Sequence, residues 1–344
     1  MKAVRMVEPG KQLDLQQIPI PSAGEEDVLV RVRAAGICHS DAHYRAGRSG
    51  MGTLPITLGH EVAGEVEWVG ANVTNVKAGD RVCLHYNISC GHCYYCQSGK
   101  EQFCTTVKMI GHHIDGGYAE YIAIPAHNAI PLPQEISFEE GATLMCASAT
   151  ALHALRRGRV RDGETVAVFG IGGLGMSAIQ LAKALGAVDV YAVDIKRDKL
   201  ELASEYGAIP IDASRSDAVE EIQKSTRGKG VDVALEMIGL PVTMRQTIES
   251  LGALGRAVIV GLNHTPLEVY PYQTLIGLEA EIIGSNDHLL QELPFLIEMA
   301  RRKVLDTSRV VSQRIPLDAE KINQRLDDLE NYTDDVRAVI VQED

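Results

Sequence analysis

The chain has 344 residues, enough for about two domains of ordinary size, and 45% of them are hydrophobic while 23% are charged, as in soluble globular proteins. The 33 Lys and Arg residues against 46 Asp and Glu residues give a net charge of −13, so the average surface would repel a polyanion, and we expect no nucleic-acid partner. The sequence has no run of about 18 apolar residues and begins with strand-like residues rather than an apolar signal region, so we predict no membrane partner and a cytoplasmic location.

The first 150 residues are predicted to form a mostly β domain. Short alternating or β-branched runs recur between glycine and proline turns, which is typical of strands. These runs are residues 28–32, 64–69, 81–84 and 118–124.

Four cysteines follow at the spacing C-x2-C-x2-C-x7-C, namely Cys90, Cys93, Cys96 and Cys104. Zinc takes four thiolates tetrahedrally at about 2.3 Å, and Gly91 and Gly99 supply the backbone freedom to bend a short loop around it. We therefore predict a structural zinc.

Three other interpretations of these cysteines fit the sequence less well. An iron–sulfur cluster has a shorter last gap followed by proline, whereas Thr105 follows Cys104. Disulfides need an oxidising compartment, and seven cysteines is an odd count. Unrelated core cysteines do not fit the polar neighbours of the loop. Cys83, in a strand pattern, is interpreted as a small core residue.

From about residue 164 the pattern changes to apolar strands that alternate with helical stretches, which indicates a parallel sheet covered on both faces. The strand runs are residues 165–169, 188–193, 231–235 and 257–260. After about 290 we predict helical sequence, a strand at 309–311, a helix near 317–330 and a last strand at 337–341.

A G-x-G-x-x-G pattern directly follows the strand at 165–169 and directly precedes a helical run. In such a position the glycines allow a tight turn, a close approach of a pyrophosphate and close packing of helix on strand. The residues of this dinucleotide site are Gly170, Gly172, Gly173, Leu174 and Gly175.

Asp194 ends the next strand, where its carboxylate can accept hydrogen bonds from an adenosine ribose and would repel a 2′-phosphate. This favours NAD over NADP. Lys196 and Arg197 follow closely and weaken the preference, because either could hold a phosphate.

Taken together, the segments 36–43, 59–61, 79–82, the four-cysteine loop, 144–150 and the glycine pattern resemble the zinc-dependent medium-chain alcohol dehydrogenases. They occur in the order of that family, and the resemblance covers essentially the full chain. It implies an α/β fold, in which a Rossmann doubly wound parallel sheet accompanies a mostly β GroES-like catalytic domain.

The resemblance implies a catalytic zinc held by Cys38, His60 and Cys146, with a fourth position open for substrate. Glu61 resembles the family glutamate that approaches or transiently ligates the metal, and whether it does so at rest stays open. Asp41 resembles the carboxylate that orients the ligand histidine.

In the family, zinc activates an alcohol that gives a hydride to the nicotinamide, while a hydroxyl and a histidine carry the proton away. Ser40 and His43 resemble this relay, and an ordinary exposed histidine is the alternative for His43. The resemblance places further residues at the cofactor: His39 and Arg337 at the pyrophosphate, Thr150 at the nicotinamide, and also Lys199, Gly261 and Ser285.

We therefore expect a zinc-dependent enzyme with two Zn²⁺ per subunit and NAD as cofactor, acting on a primary or secondary alcohol, or in reverse on an aldehyde or ketone. Alternatives are a polyol, sugar or amino-alcohol dehydrogenase and, in another class, a zinc-loop binding protein with a regulatory nucleotide domain. A homodimer or homotetramer is expected. The predicted domains are 1–150 (catalytic, with the zinc lobe at about 88–106), 151–290 (dinucleotide-binding) and 291–344 (completing the catalytic domain).

Overall fold

A computed structural model describes residues 1–331 and 336–342. Residues 332–335 and 343–344, which belong to the predicted segment 291–344, lie outside the described part. The strands, in chain order, are β1 (Lys2–Met6), β2 (Asp14–Gln17), β3 (Asp27–Ile37), β4 (Ile56–Thr57), β5 (Glu61–Val69), β6 (Arg81–Leu84), β7 (Asn87–Ile88), β8 (Lys108–Met109), β9 (Tyr121–Pro125), β10 (Ala129–Pro131), β11 (Thr165–Phe169), β12 (Asp189–Asp194), β13 (Ile209–Asp212), β14 (Val231–Glu236), β15 (Leu251–Ile259), β16 (Glu281–Gly284), β17 (Gln313–Ile315) and β18 (Ala338–Val341).

The α-helices are α1 (His39–Arg45), α2 (Tyr94–Gln97), α3 (Phe138–Thr143), α4 (Ala149–Arg157), α5 (Gly173–Ala184), α6 (Arg197–Glu205), α7 (Ala218–Ser225), α8 (Pro241–Glu249), α9 (Leu293–Arg301) and α10 (Ala319–Glu330). Short 3₁₀ turns occur at Glu101–Phe103, Ala126–Asn128 and Leu290–Glu292, and π-helical turns at Leu144–Ser148 and Pro271–Ile276. None of the helices in the described residues has both the length and the hydrophobicity of a membrane-spanning segment.

The chain forms two compact units, of which the first comprises Met1–Ala149 and Leu289–Asp344. Its main sheet has the order β10-β6-β5-β3-β18-β17, with β9 also paired to β3. Strand β3 lies between β5 and β18 and is antiparallel to both, so that Gly36 is opposite Glu61 on one side and Val339 on the other. This register brings residues far apart in sequence to one end of the sheet.

The second unit comprises Thr150–His288 and contains a parallel sheet of order β13-β12-β11-β14-β15-β16. All of its strand pairs are parallel. This is the strand order of a doubly wound dinucleotide-binding fold, in which the order reverses beside the first strand. The predicted fold class is confirmed.

The central strands of the second unit are buried because helices cover both faces of a parallel sheet. Phe169 of β11 is fully buried in a cluster with Tyr191 of β12 and Ile248 of α8. Replacing such a side chain with alanine typically costs about 3–5 kcal/mol of stability.

One strand prediction is wrong. Residues 309–311 form a turn and its exit rather than a strand, and the strand lies at Gln313–Ile315. Val310 and Val311 are nevertheless buried. Two adjacent β-branched residues that pack in a turn give the same sequence pattern as a short strand, which explains the error.

Candidate active site and metal centres

The four-cysteine loop folds around its sulfur atoms. The Sγ atoms of Cys90, Cys93, Cys96 and Cys104 all lie within 4.8 Å of one another. Cys93 and Cys96 are 3.5 Å apart at their sulfurs, and Cys90 and Cys96 are 3.9 Å apart. Sulfurs placed tetrahedrally at about 2.3 Å from a zinc ion are about 3.8 Å from one another, so the arrangement fits a zinc ion.

Backbone N–H groups of the loop point at the sulfurs. The amide of Cys90 donates to Sγ of Cys104 at 3.4 Å, and the amide of Cys93 donates to Sγ of Cys90 at 3.4 Å. Burial raises the pKa of Cys104, but the amides of Cys90 and Thr106 outweigh it and lower that pKa to about 6. Such bonds stabilise the thiolate form that zinc requires.

The same lobe is attached to the chain that follows the second unit. The carboxylate of Glu101 accepts a hydrogen bond from the amide of Leu290 at 2.5 Å, and Gln291 donates to the carbonyl of Gly99 at 3.3 Å. If the four-cysteine loop unfolded, residues 290–291 would therefore lose these two hydrogen bonds.

A second set of donor atoms is buried at one end of the main sheet of the first unit. Cys38 follows β3, His60 directly precedes β5, Glu61 begins β5, and Cys146 lies in the π-helical turn Leu144–Ser148. One ligand atom of each lies within 4.8 Å of the others, and all four residues are buried. The structure thus brings together the residues to which the resemblance assigned the catalytic zinc.

Asp41 contacts two residues of this set and holds them in place. Its Oδ1 is 3.2 Å from Nδ1 of His60, and its Oδ2 accepts from the amide of Cys38 at 2.9 Å and from the hydroxyl of Tyr118 at 3.0 Å. With Nδ1 held by the carboxylate, the Nε2 lone pair of His60 is available to a metal. Tyr118 was not foreseen, because a tyrosine in a strand-like run gives no sign of this contact.

The charges of the set suit a divalent cation. The hydrogen bond with Cys146, then the charge of Arg337 and the contact with His60, lower the pKa of the Cys38 thiol well below its ordinary value despite burial. Burial alone would lower the pKa of His60, but the carboxylate of Asp41 and the thiolate of Cys38 raise it to about 10, so a metal ion would displace a proton from this imidazole when it binds. Two thiols, an imidazole and a carboxylate gathered out of water fit a zinc ion.

Glu61 is held by an arginine. The guanidinium of Arg337 donates to Oε1 of Glu61, and Oε2 of Glu61 is buried and accepts no hydrogen bond within the described residues. The resemblance placed Arg337 at the cofactor pyrophosphate, whereas in the structure this guanidinium pairs with the glutamate of the metal set.

The predicted relay residues lie on α1, the short helix that begins after Cys38. The imidazole of His43 lies 4.7 Å from that of His39, centroid to centroid, and its Nδ1 is 3.2 Å from the guanidinium of Arg48. Burial, and then the charges of His39 and Arg48, lower the pKa of His43 to about 4. Ser40 lies on the same helix and is partly exposed.

Aromatic rings surround the ligand histidine. Tyr86 packs edge-on against His60 at 5.3 Å, and Tyr44 lies 6.4 Å from His60 and 4.6 Å from His112. Burial, and then the charges of His113 and His60, lower the pKa of His112 to about 4. These rings form a neutral wall beside the donor set.

In the second unit, the glycine pattern forms the turn between β11 and α5. A Cβ on Gly175 would lie 1.9 Å from the carbonyl oxygen of Gly170, so only glycine allows the helix to pack this closely. A Cβ on Gly172 would meet no atom within 4 Å, which leaves room for a phosphate at the backbone. Gly173 and Leu174 form the first turn of α5. The turn therefore fits a pyrophosphate.

Asp194 lies at the end of β12 and is oriented by backbone amides. Its carboxylate accepts hydrogen bonds from the backbone amides of Ile171 at 2.7 Å, Ile195 at 2.8 Å and Lys196 at 3.0 Å. These bonds place its carboxylate beside the glycine turn. Arg197 pairs with Glu201 on the exposed face of α6, and Lys199 of that helix is buried.

Further residues assigned to the cofactor lie around the same unit. Thr150 lies near the start of α4 and is buried. Gly261 follows β15 and packs so closely on the turn after β14 that a Cβ would lie 2.1 Å from the amide of Gly239. Ser285 follows β16, and its buried hydroxyl has no hydrogen-bond partner within the described residues.

Cys83 belongs to neither metal set. It is fully buried, and burial raises the pKa of its thiol to about 12. A protonated thiol in the core is neither a ligand nor a nucleophile.

Comparison with known proteins gives matches along the whole chain. The family model described as alcohol dehydrogenase GroES-like domain matches residues 24–134, and the model described as zinc-binding dehydrogenase matches residues 173–300. A protein named NAD-dependent alcohol dehydrogenase from Sulfurisphaera tokodaii is 37% identical over 99% of this chain and 100% of its own length.

Other relatives carry different names. A sorbitol dehydrogenase from Bacillus subtilis is 34% identical over 90% of this chain and 88% of its own, and an L-threonine 3-dehydrogenase from Symbiobacterium thermophilum is 38% identical over 78% of this chain and 77% of its own.

Solved structures share the fold. The alcohol dehydrogenase of the archaeon Aeropyrum pernix has a TM-score of 0.90 at 35% identity, covering 99% of this chain and 100% of the other. A putative zinc-binding dehydrogenase of Sinorhizobium meliloti, bound to NADP, has a TM-score of 0.91 at 32% identity, with 99% of each chain covered.

Proposed function

The chain belongs to the zinc-dependent medium-chain alcohol dehydrogenase family, and from this premise we propose that it transfers a hydride reversibly between a primary or secondary alcohol and NAD. The observation that carries the proposal is the buried set formed by Cys38, His60, Glu61 and Cys146. Cys38, His60 and Cys146 would hold a zinc ion and leave one tetrahedral position for a substrate oxygen, whereas the four-cysteine loop fills all positions of its ion.

The residues around the donor set prepare it for this role. Zinc, when bound, acts as a Lewis acid that lowers the pKa of an alcohol and polarises a carbonyl. Asp41 orients His60 through Nδ1, Arg337 holds Glu61 by one oxygen, and Tyr44 and Tyr86 supply an apolar wall for the carbon part of the substrate.

Alcohol oxidation releases a proton that must reach solvent. We assign the relay to Ser40 and His43, which share helix α1 with the ligand Cys38 at its N-cap. His43 is half-buried, and the low pKa of about 4 keeps it neutral at neutral pH, so that one ring nitrogen offers a lone pair and the other a proton to the relay.

NAD is the proposed cofactor. The turn at Gly170, Gly172 and Gly175 would bind the pyrophosphate, and Asp194 the adenosine ribose. Arg197, which could have held a 2′-phosphate, is paired with Glu201. His39, Thr150, Lys199, Gly261, Ser285 and Arg337 remain proposed cofactor residues.

The second candidate function is a polyol, sugar or amino-alcohol dehydrogenase, and the sorbitol and threonine dehydrogenases among the relatives favour it. The decisive experiment is a panel of primary alcohols, secondary alcohols, sorbitol and threonine, each assayed with NAD and with NADP. A kcat/KM for simple alcohols above that for sorbitol and threonine supports the first proposal. The reverse order supports the second.

A zinc-loop binding protein would need one zinc ion per chain, whereas the enzyme needs two. The second buried donor set has no role in a binding protein. Metal analysis of the purified chain distinguishes the two, because a content of one zinc with no dehydrogenase activity would favour the binding protein.

We also propose a homodimer or homotetramer in the cytoplasm. The seven cysteines, all of them among the described residues, form no disulfide bond, which fits a reducing compartment. The strand β16 ends the parallel sheet of the second unit within the described residues and offers an edge to a second copy. Size-exclusion chromatography with light scattering tests the number of subunits.

A further inference from the structure

The helix that carries the predicted relay ends in a specific hydrogen-bonded turn. The amide of Gly47 donates to the carbonyl of Tyr44 at 3.0 Å, and the amide of Arg48 donates to the carbonyl of His43 at 3.0 Å. Gly47 has φ of 72°, a conformation that glycine adopts without strain. These bonds form a Schellman motif, in which the residue after the glycine folds back on the last helical turn.

Because of this motif, the side chain of Arg48 returns to the residue whose carbonyl its amide caps. Its guanidinium Nη1 is 3.2 Å from Nδ1 of His43. A guanidinium has only donors, so Nδ1 is the acceptor, and a neutral imidazole then carries its proton on Nε2. The backbone and the side chain of one residue thus act on the same histidine.

The groups that face His43 come from three elements. His39 and the Cys38 thiol belong to α1 and its N-cap, Arg48 follows its C-terminus, and Glu330 belongs to α10. His39 and Arg48 oppose a positive charge on the ring, whereas Cys38 and Glu330 favour it. Arg48 also occupies a ring nitrogen of His43, through its hydrogen bond to Nδ1.

We propose that Arg48 is a positioning residue of the proton relay, which holds His43 neutral with its proton on Nε2 and must leave Nδ1 before the ring accepts a second proton. The proposal rests on the proposed function of His43. During alcohol oxidation, the proton released by the substrate would bind Nδ1 as the bond to Arg48 breaks. The ring then carries a proton on each nitrogen, and release of one proton to water returns it to neutrality.

The test is a titration of the zinc-loaded full-length protein, labelled with ¹³C and ¹⁵N at histidine and followed by NMR. The signal of His43 is identified by its loss in His43→Asn. Three variants are compared with the unmodified chain: Arg48→Ala, Arg48→Lys, which keeps a charge and a donor, and Arg302→Ala, which removes an arginine that pairs with Glu298 on α9.

In the unmodified chain we expect the ¹⁵N shifts of His43 to be those of the Nε2–H tautomer, with no titration above about pH 5. A unit charge a few ångströms away changes a pKa by about one pH unit at a partly exposed site. Arg48→Ala should therefore raise the midpoint by about one pH unit and mix the tautomers, whereas Arg48→Lys and Arg302→Ala should leave the midpoint unchanged. An Arg48→Ala variant with the tautomer and midpoint of the unmodified chain overturns the proposal.

The kinetic profile separates this inference from the proposed function. If His43 carries the proton, the acidic limb of kcat/KM for alcohol oxidation moves to higher pH in Arg48→Ala, in step with the NMR midpoint. If His43→Asn leaves kcat/KM unchanged at every pH, the relay assignment fails, and the proposal fails with it. The NMR result then still states whether Arg48 sets the tautomer of His43.

Discussion

Arg337 donates a hydrogen bond to Glu61 across the backbone of strand β3, and both side chains are buried. Arg337 precedes β18 and Glu61 begins β5, the two strands that flank β3. Between them lies Gly36, where a Cβ would be 2.0 Å from Oε2 of Glu61. The absence of a side chain at Gly36 is therefore what lets the carboxylate lie beside the metal set.

Removal of Arg337 should destabilise the protein, and more so without zinc. A buried charge that loses its partner costs roughly 3–5 kcal/mol, and a zinc ion would replace part of the lost positive charge. We expect Arg337→Ala to lower the midpoint of urea unfolding in the zinc-free form more than in the zinc-loaded form, and the added change Glu61→Gln to restore part of the loss. Equal midpoints for Arg337→Ala and the unmodified chain in both forms would contradict the pairing.

Asp41 should matter for metal affinity without touching substrate. Loss of a carboxylate that orients a ligand histidine costs about 10- to 100-fold in metal affinity or activity. We expect such a loss for Asp41→Asn. The loss should be smaller for Tyr118→Phe, because this change removes the hydroxyl group, which is only one of the three hydrogen-bond donors to the carboxylate. Zinc competition with a chelator measures both variants, and an Asp41→Asn variant with unchanged affinity argues against the assignment.

Substitution of Cys104 should lower the stability of the protein before it lowers the rate of turnover. Cys104→Ser leaves three thiolates in the loop, so we expect one zinc ion per chain instead of two, faster proteolysis within residues 90–104, and a lower melting temperature. The rate per remaining zinc should stay near normal until the protein unfolds. Cys83→Ala is the matched control, because its thiol lies in neither set. Loss of turnover in Cys104→Ser with normal melting and normal proteolysis would point to a catalytic role for the loop.

His85 should make stability depend on acidity. Burial, and then the charge of His127, lower its pKa to about 3, whereas the unfolded chain has an ordinary value near 6.5. Below pH 6.5 the unfolded state binds the proton and the folded state does not, so this contribution is complete above that pH and declines as the pH falls toward 3. Between pH 7 and pH 5 the loss is about 2 kcal/mol.

The check is a set of unfolding curves at pH 7 and pH 5. His85→Asn should lose less stability between the two values than the unmodified chain, while the exposed His264→Asn should lose as much. A pH dependence that is identical in all three proteins would exclude His85 as its source.

The sequence predicts best where the chemistry is local. The four cysteines span fifteen residues and the glycine turn spans six, so their spacing already contains the geometry, and the parallel sheet follows from apolar strands between helices. The triad of Cys38, His60 and Cys146 spans 109 residues, and only the resemblance to a family joined it. Cys38 and His60 lie close together because of the register of β3 against β5. No local sequence pattern contains this register.

Other features of the site depend on the tertiary structure. The contact of Tyr118 with Asp41 joins a bend to helix α1, and that of Arg337 with Glu61 joins residues on either side of β3, so both depend on tertiary structure. Arg48 is an intermediate case, because a glycine after a helix predicts a Schellman turn, but the imidazole under its guanidinium becomes visible only in three dimensions.

The most direct test of the central claim is Cys38→Ser, assayed for alcohol oxidation with NAD and for zinc content. We expect the variant to keep the circular dichroism spectrum and the structural zinc, to lose the second zinc ion, and to lose roughly a thousandfold or more in kcat/KM. A variant that oxidises alcohol at the rate of the unmodified chain would contradict the assignment of the chemistry to Cys38, His60 and Cys146.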